Sequence, residues 1–213
     1  MKNLRSLVCG LGILFVLVGC TSTGGTIGGL IPAPKFTKGK LSDGLYTAQD
    51  DSFSVRTPFD TDSYEYTYMA IAESYGNRED DIQFSSSAAP AEVYRIAILK
   101  DVPPDQDIEK LAFDEYRKLF EGAYKTPFKN HRTKQIMVSN VPVILNTYSQ
   151  HIPERSSLGR TAMALDVLHS CFYLAKGKNA AYVCINRIAP GTEGASVDAE
   201  QRIEKFIGSF ELK

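Results

Sequence analysis

Hydrophobic and polar residues change their pattern several times along this chain, and each change predicts a different kind of element. Residues 7–19 form an uncharged apolar run behind Lys2 and Arg5. Residues 21–40, TSTGGTIGGLIPAPKFTKGK, show neither an alternating nor a helical period, the composition of a flexible tether. From Leu41 the pattern becomes regular. Residues 44–48 and 53–58 read as short strands joined by the turn-forming Asp50-Asp51-Ser52. Residues 64–74 alternate, with Tyr64, Tyr66, Tyr68, Ala70 and Ala72 on one face and Glu65, Thr67, Met69, Ile71 and Glu73 on the other. Residues 91–100 predict a strong strand.

Pro103-Pro104-Asp105 stops that strand and opens a helix whose Ile108, Leu111, Ala112, Leu119 and Phe120 share a face, with an end near Gly122. Strands at 136–138 and 143–148 flank Ser139-Asn140-Val141-Pro142, which reads as a hairpin connection. A second hairpin spans residues 167–188 about Gly177-Lys178. From Asp198 onward, Ile203, Phe206, Ile207 and Phe210 keep the i, i+3, i+4, i+7 spacing of an amphipathic helix. Asp198 and Gln201 have capping-box spacing, and Ser196 is an equal candidate for the cap. Antiparallel strands broken by two amphipathic helices predict the α+β class: one domain over residues 41–213, an antiparallel β-sheet flanked by amphipathic helices.

The first apolar run spans roughly 20 Å as a helix, short of the ~30 Å hydrocarbon core, so it suits a signal sequence better than a transmembrane anchor. It ends in Leu17-Val18-Gly19-Cys20, which resembles the lipobox of bacterial lipoproteins. The resemblance implies that residues 1–19 are a signal peptide, that Cys20 carries lipid, and that residues 20–40 tether the domain. The alternative is an uncleaved anchor with a buried cysteine. Each buried methylene contributes about 0.8 kcal/mol, so two or three acyl chains hold a protein on the membrane almost permanently. Thr21, where an aspartate would retain a lipoprotein at the inner membrane, implies the outer membrane facing the periplasm in a two-membrane organism. Cys9 falls within the removed segment.

Charge narrows the partners. The chain has 24 basic and 25 acidic side chains, a formal net charge of −1, which excludes a nucleic-acid binder relying on a basic excess. Without Lys2 and Arg5 the mature chain keeps 22 basic against 25 acidic groups and should not lie flat on an anionic leaflet. Four cysteines are too few for a disulfide-built miniprotein.

Three segments, FSVRTPF at 53–59, VSNVPV at 138–143 and IEKFIGSFEL at 203–212, are arranged as in PsbP-like and Mog1-like domains. The domain resembles that family, in which an antiparallel sheet lies between helices. It departs in having Phe59 after Pro58, where many members carry a tryptophan, and the chain has no tryptophan. The resemblance implies an accessory or partner-binding module with no shared active site.

Candidate chemistry is sparse. If Gly177-Lys178 forms a two-residue loop, opposing positions sum to 355, which places Cys171 opposite Cys184 at a non-hydrogen-bonded site. Their Cα atoms then lie close enough for a disulfide, the expectation in an exported protein, with two buried free thiols as the alternative. Tyr173 should face Tyr182. His131, His151 and His169 lack metal-ligand spacing and read as structural or exposed residues. Ser156 and Ser157 lack a nucleophile elbow. Asp60, Asp62, Glu79, Asp80 and Asp81 lack calcium-loop spacing and read as solvated charge. The chain therefore offers no catalytic, cofactor or metal site.

Two surfaces could meet a partner. Lys125, Lys129, Arg132 and Lys134, with His131, form the one basic concentration, in KTPFKNHRTK. This segment reads as an exposed loop between helix and strand, and as a patch it suits lipid headgroups, anionic glycans or an acidic partner. The tyrosine face of Tyr64, Tyr66 and Tyr68 reads equally as interface or core. The expected function is that of a cell-envelope lipoprotein, non-catalytic, serving as a binding or assembly module. It meets the membrane through lipid on Cys20, takes an envelope protein as partner and does not bind nucleic acid. The alternatives are an envelope hydrolase of lipid or glycan and a small-ligand carrier.

Overall fold

The computed structural model describes residues 26–27, 31–32, 39–59, 67–72, 78–86, 92–102, 107–157, 160–162, 164–193 and 195–213. The lipobox and Cys20 lie outside these residues. In chain order the strands are β1 (Thr26–Ile27), β2 (Ile31–Pro32), β3 (Lys40–Ser42), β4 (Leu45–Thr47), β5 (Phe53–Arg56), β6 (Thr67–Ala72), β7 (Arg78–Ser86) and β8 (Glu92–Leu99). Helix α1 (Ile108–Tyr124) follows, then β9 (Lys129–Val138), β10 (Val141–Ile152), β11 (Arg155–Ser157), β12 (Arg160–Ala162), β13 (Leu165–Lys176) and β14 (Asn179–Ile188). Helix α2 (Ala199–Ser209) and β15 (Glu211–Leu212) close the chain.

A seven-stranded antiparallel sheet runs in the order β6-β7-β8-β14-β13-β10-β9, and a four-stranded sheet in the order β15-β5-β4-β3. The expected α+β arrangement, a single sheet flanked by helices, is corrected by this second sheet. The fold is a β-rich sandwich with two helices among the described residues. Its inner layer joins Tyr46, Phe53 and Val55 of the small sheet to Phe84, Tyr94, Phe172 and Ile185 of the large one, with Phe206 and Phe210 closing the end. Phe53 stacks on Phe210 at 5.8 Å, and Phe206 lies 4.9 Å from Tyr94. Burying these nine aromatic and aliphatic side chains removes a large apolar area from water, the main favourable contribution to folding. The small sheet was hidden from the sequence pattern because its fourth strand is the two-residue β15, whose Leu212 pairs with Phe53, far away in the sequence.

Helix α1 covers the opposite face of the large sheet. Its Ile108, Tyr116, Phe120 and Tyr124 are buried against Val167, Cys171, Tyr182 and Cys184. The expected stripe is therefore rotated: Leu111 is 51% exposed and Leu119 38% exposed, while two tyrosines turn inward. The i, i+4 series through Tyr116 and Tyr124 was masked because tyrosine counts as neither plainly polar nor plainly apolar. Asp107 caps the start by accepting from the Lys110 amide at 3.0 Å. The helix runs past exposed Gly122 and ends at Lys125, whose left-handed φ of 59° makes the C-cap.

The hairpins follow the sequence more closely. Ser139 and Asn140, both with positive φ, make a two-residue loop, so Val141 and Pro142 belong to β10 and not to the turn. Asn179 pairs with Lys176 and every pair of β13 and β14 sums to 355, Tyr173 with Tyr182 included. Within the stretch expected to be a structureless tether, β1 and β2 pair with each other. Asp198 takes the N-cap position of α2 without a side-chain capping bond, so the capping box does not form.

Candidate functional site

Two polar clusters lie on the two faces of the large sheet. On the α1 side, His169 is completely buried and its Nε2 lies 3.1 Å from Gln150 Oε1. Gln150 Nε2 donates to the Thr126 carbonyl at 2.8 Å, so its oxygen is turned toward the imidazole and Nε2 carries the proton. The other nitrogen, Nδ1, lies 2.9 Å from the Tyr116 hydroxyl, whose single proton goes to Asn186 Oδ1. Asn186 reaches both the Tyr116 hydroxyl and His169 Nδ1. Phe128 stacks on the imidazole at 4.5 Å and Phe120 meets it edge-on at 5.0 Å. Burial lowers the His169 pKa to about 3, outweighing the Asn186 hydrogen bond that would favour the charged form. A neutral imidazole closed in by rings and carboxamides ties α1 to the large sheet.

On the other face Glu92, 1% exposed, receives Arg202 through both carboxylate oxygens and the Tyr94 hydroxyl at 2.8 Å. Arg202 also donates to Ser196, the residue considered as a helix cap. Burial, then the Glu92 charge, raise the Tyr94 pKa. This pair joins β8 to α2 and is structural.

The disulfide expected from the register is present, linking Cys171 and Cys184 with Cα atoms 4.1 Å apart. It lies buried under α1, in line with His169 on the same strand face. His151 pairs with Asp166 at 2.8 Å on the surface. Ser156 and Ser157 lie in β11, paired with β12. Glu79, Asp80 and Asp81 lie in β7, while Asp60 and Asp62 fall outside the described residues. Among the described residues no group of three His, Cys, Asp or Glu side chains could hold a metal ion.

The open surface is at the sheet edge. Lys129, Arg132 and Lys134 lie in β9, so the expectation of a loop is corrected. The segment was misread because KNHRTKQ carries no apolar residue to alternate, and a strand exposed on both faces leaves no period-2 signal. All seven residues 129–135 are exposed, and β9 has a neighbour, β10, on one side only. A register shift places Asn130 and His131 opposite the single Tyr148. That bulge lays the His131 ring flat on Tyr148 at 4.4 Å, while Phe113 of α1 stacks on Tyr148 at 4.7 Å. His131 Nε2 is also 2.9 Å from Asn146 Oδ1. Beside this ladder is a groove of about 220 Å³ walled by Phe113, Phe128 and Tyr148 and rimmed by Arg117, Glu121, Lys129 and Asn130.

Charge sets this edge apart. From Gly122 to Pro153 the chain contains no aspartate or glutamate. Among the described residues Lys125, Lys129, Arg132 and Lys134 make no ion pair. The tyrosine surface is not assembled in the same way: Tyr64 and Tyr66 lie outside the described residues, and Tyr68 lies in β6, at the other edge of the sheet, opposite Ser85. The aromatic groove and the acid-free hairpin were both missed. The second was open to view in the sequence as a run of 32 residues without a carboxylate.

Comparison with solved structures finds weak likenesses of fold. The solution structure of cyanobacterial PsbP (CyanoP) from Synechocystis sp. PCC 6803 is 11% identical, with a TM-score of 0.49, over 84% of this chain and 98% of that one. A crystal structure from Bacteroides thetaiotaomicron is 11% identical, with a TM-score of 0.42, over 81% of this chain. The match takes in 49% of that structure, so this chain spans about half its length. No family model matches the chain, and no curated protein matches it.

Proposed function

We propose that this protein is a lipid-anchored envelope lipoprotein that binds a protein partner through the basic edge of β9 and catalyses no reaction. The observation that carries this reading is that Lys129, Arg132 and Lys134 on the acid-free hairpin at an open sheet edge, and Lys125 at the end of α1, make no ion pair among the described residues, in a chain of net charge −1. Unneutralised charge concentrated against the sign of the whole molecule marks a surface shaped for an acidic partner. The lipobox supports anchoring through Cys20, with Thr21 favouring the outer membrane. The closed His169 cluster supports a structural role for the buried imidazole. The groove at Phe113 and Tyr148 favours a second reading, a carrier of a small ring-bearing ligand.

Crosslinking in cells followed by pull-down through the full lipidated chain tests the proposal. The expected result is one specific protein crosslinked to β9 and no turnover of lipid or glycan by the purified protein. The reading fails if no protein is recovered above background while the purified chain turns over such a substrate and loses that activity on one point substitution.

A further inference from the structure

Strand β9 combines three properties that an ordinary protective edge strand does not need together. It is ten residues long, its residues 129–135 are exposed on both faces, and no ion pair among the described residues neutralises its cations. An edge strand presents a row of unpaired main-chain N–H and C=O groups, and lysines along it deter pairing with a like or apolar edge. Those same cations do not deter an acidic strand. Arg132 and Lys134 share a strand face by parity with Ile136 and Val138, while His131, Thr133 and Gln135 share the other. An incoming strand with carboxylates at every second position would set them across from Arg132 and Lys134.

Resting on the binding-module reading above, we infer that β9 takes an extended acidic segment of a partner protein, which joins the seven-stranded sheet as an eighth strand. Main-chain hydrogen bonds supply the attachment and Arg132 and Lys134 select the charge. The addition stops near Ile136, where the strand becomes half-buried and α2 packs nearby, the Ser139 hydroxyl donating to the Phe210 carbonyl. The mature chain's net negative charge opposes the competing idea that this edge lies on an anionic membrane, because the rest of the molecule would be repelled.

The test uses the full chain in detergent micelles and three probes. The first is a decapeptide of alternating Glu and Thr, the second the same peptide N-methylated at alternate backbone nitrogens, the third phosphatidylglycerol vesicles. The first peptide should protect β9 amides from hydrogen exchange. Its affinity should fall about tenfold in an Arg132→Glu, Lys134→Glu variant, two exposed positions whose reversal turns two cross-strand attractions into repulsions. The methylated peptide, equal in charge but without donors on one edge, should not protect them. Strand addition is overturned if the acidic peptide gives no protection, if the methylated peptide binds equally well, or if vesicles alone protect β9. A peptide failure alongside a partner still crosslinked to β9 in cells would end this inference and leave the binding-module reading standing.

Discussion

Tyr116, His169 and Asn186 meet where α1, β13 and β14 converge, and each group there has a partner it would lack if any other were removed. Replacing Tyr116 with Phe takes from the buried Asn186 Oδ1 its donor and from His169 Nδ1 a polar neighbour. The expected loss is about 1–3 kcal/mol of unfolding free energy, read from urea midpoints. The same site sets a pH dependence whose sign is fixed. The folded imidazole has a pKa of about 3 against 6.5 for the free side chain, so between those values the unfolded chain binds a proton that the folded chain does not. This contribution is therefore complete above about pH 6.5 and is lost as pH falls toward 3. Asp50 acts in a lower window: burial would raise its pKa, but Lys100 and Ser52 hold it at about 2, so its contribution fades only below 3.8. Urea midpoints between pH 7.5 and 4 should fall for the wild type and stay flatter for His169→Gln; parallel curves would refute the assignment. His169 and Asn186 sum to 355, so their pairing was legible from the hairpin register, whereas Tyr116 was not, because a tyrosine on the inward face gives no plain apolar signal. Glu92 and Arg202 gave no sign in the sequence, since 110 residues separate them and a buried carboxylate looks like any other.

At the scale of elements, the hairpin of β13 and β14 is the part most fully written in the sequence. A two-residue loop fixes the register, the register fixes the cysteine pair, and the pair staples two central strands. Reverting both cysteines to alanine removes a constraint on the unfolded chain of about 3 kcal/mol in the entropy model, and thermal unfolding should shift down accordingly. Quantitative alkylation of both thiols without reductant, in protein taken from the envelope, would show the bond is absent. Strand β9 is the opposite case. Its polar faces carry no period because neither is buried, and what made it a strand is its pairing with β10 from Val138↔Val141 to Lys129↔Ser149. Helix α1 shows a third kind of error, a correct element with its inward stripe partly misread: Ile108 and Phe120 face inward as expected, but tyrosine rings and not the leucines complete the buried face beside the disulfide.

Across the whole molecule the charges are arranged so that one edge opposes the rest. In a chain of net charge −1, Lys129, Arg132 and Lys134 make no ion pair among the described residues, and the proposed lipid anchor would put their hairpin within reach of other envelope proteins. Metabolic labelling with an acyl-chain analogue should mark the wild type and miss Cys20→Ala; equal labelling of both would remove the anchor from the account. Partner binding should weaken as salt rises from 50 to 500 mM, since exposed charges are screened within about a Debye length. The most direct measurement places a photo-crosslinking residue at Thr133 in the full chain and illuminates living cells. One crosslinked partner is expected with the wild type, and the same adduct should disappear when Lys129, Arg132 and Lys134 are all changed to glutamate in a protein with an unchanged melting temperature. An undiminished adduct after that reversal would contradict the role assigned to the basic edge.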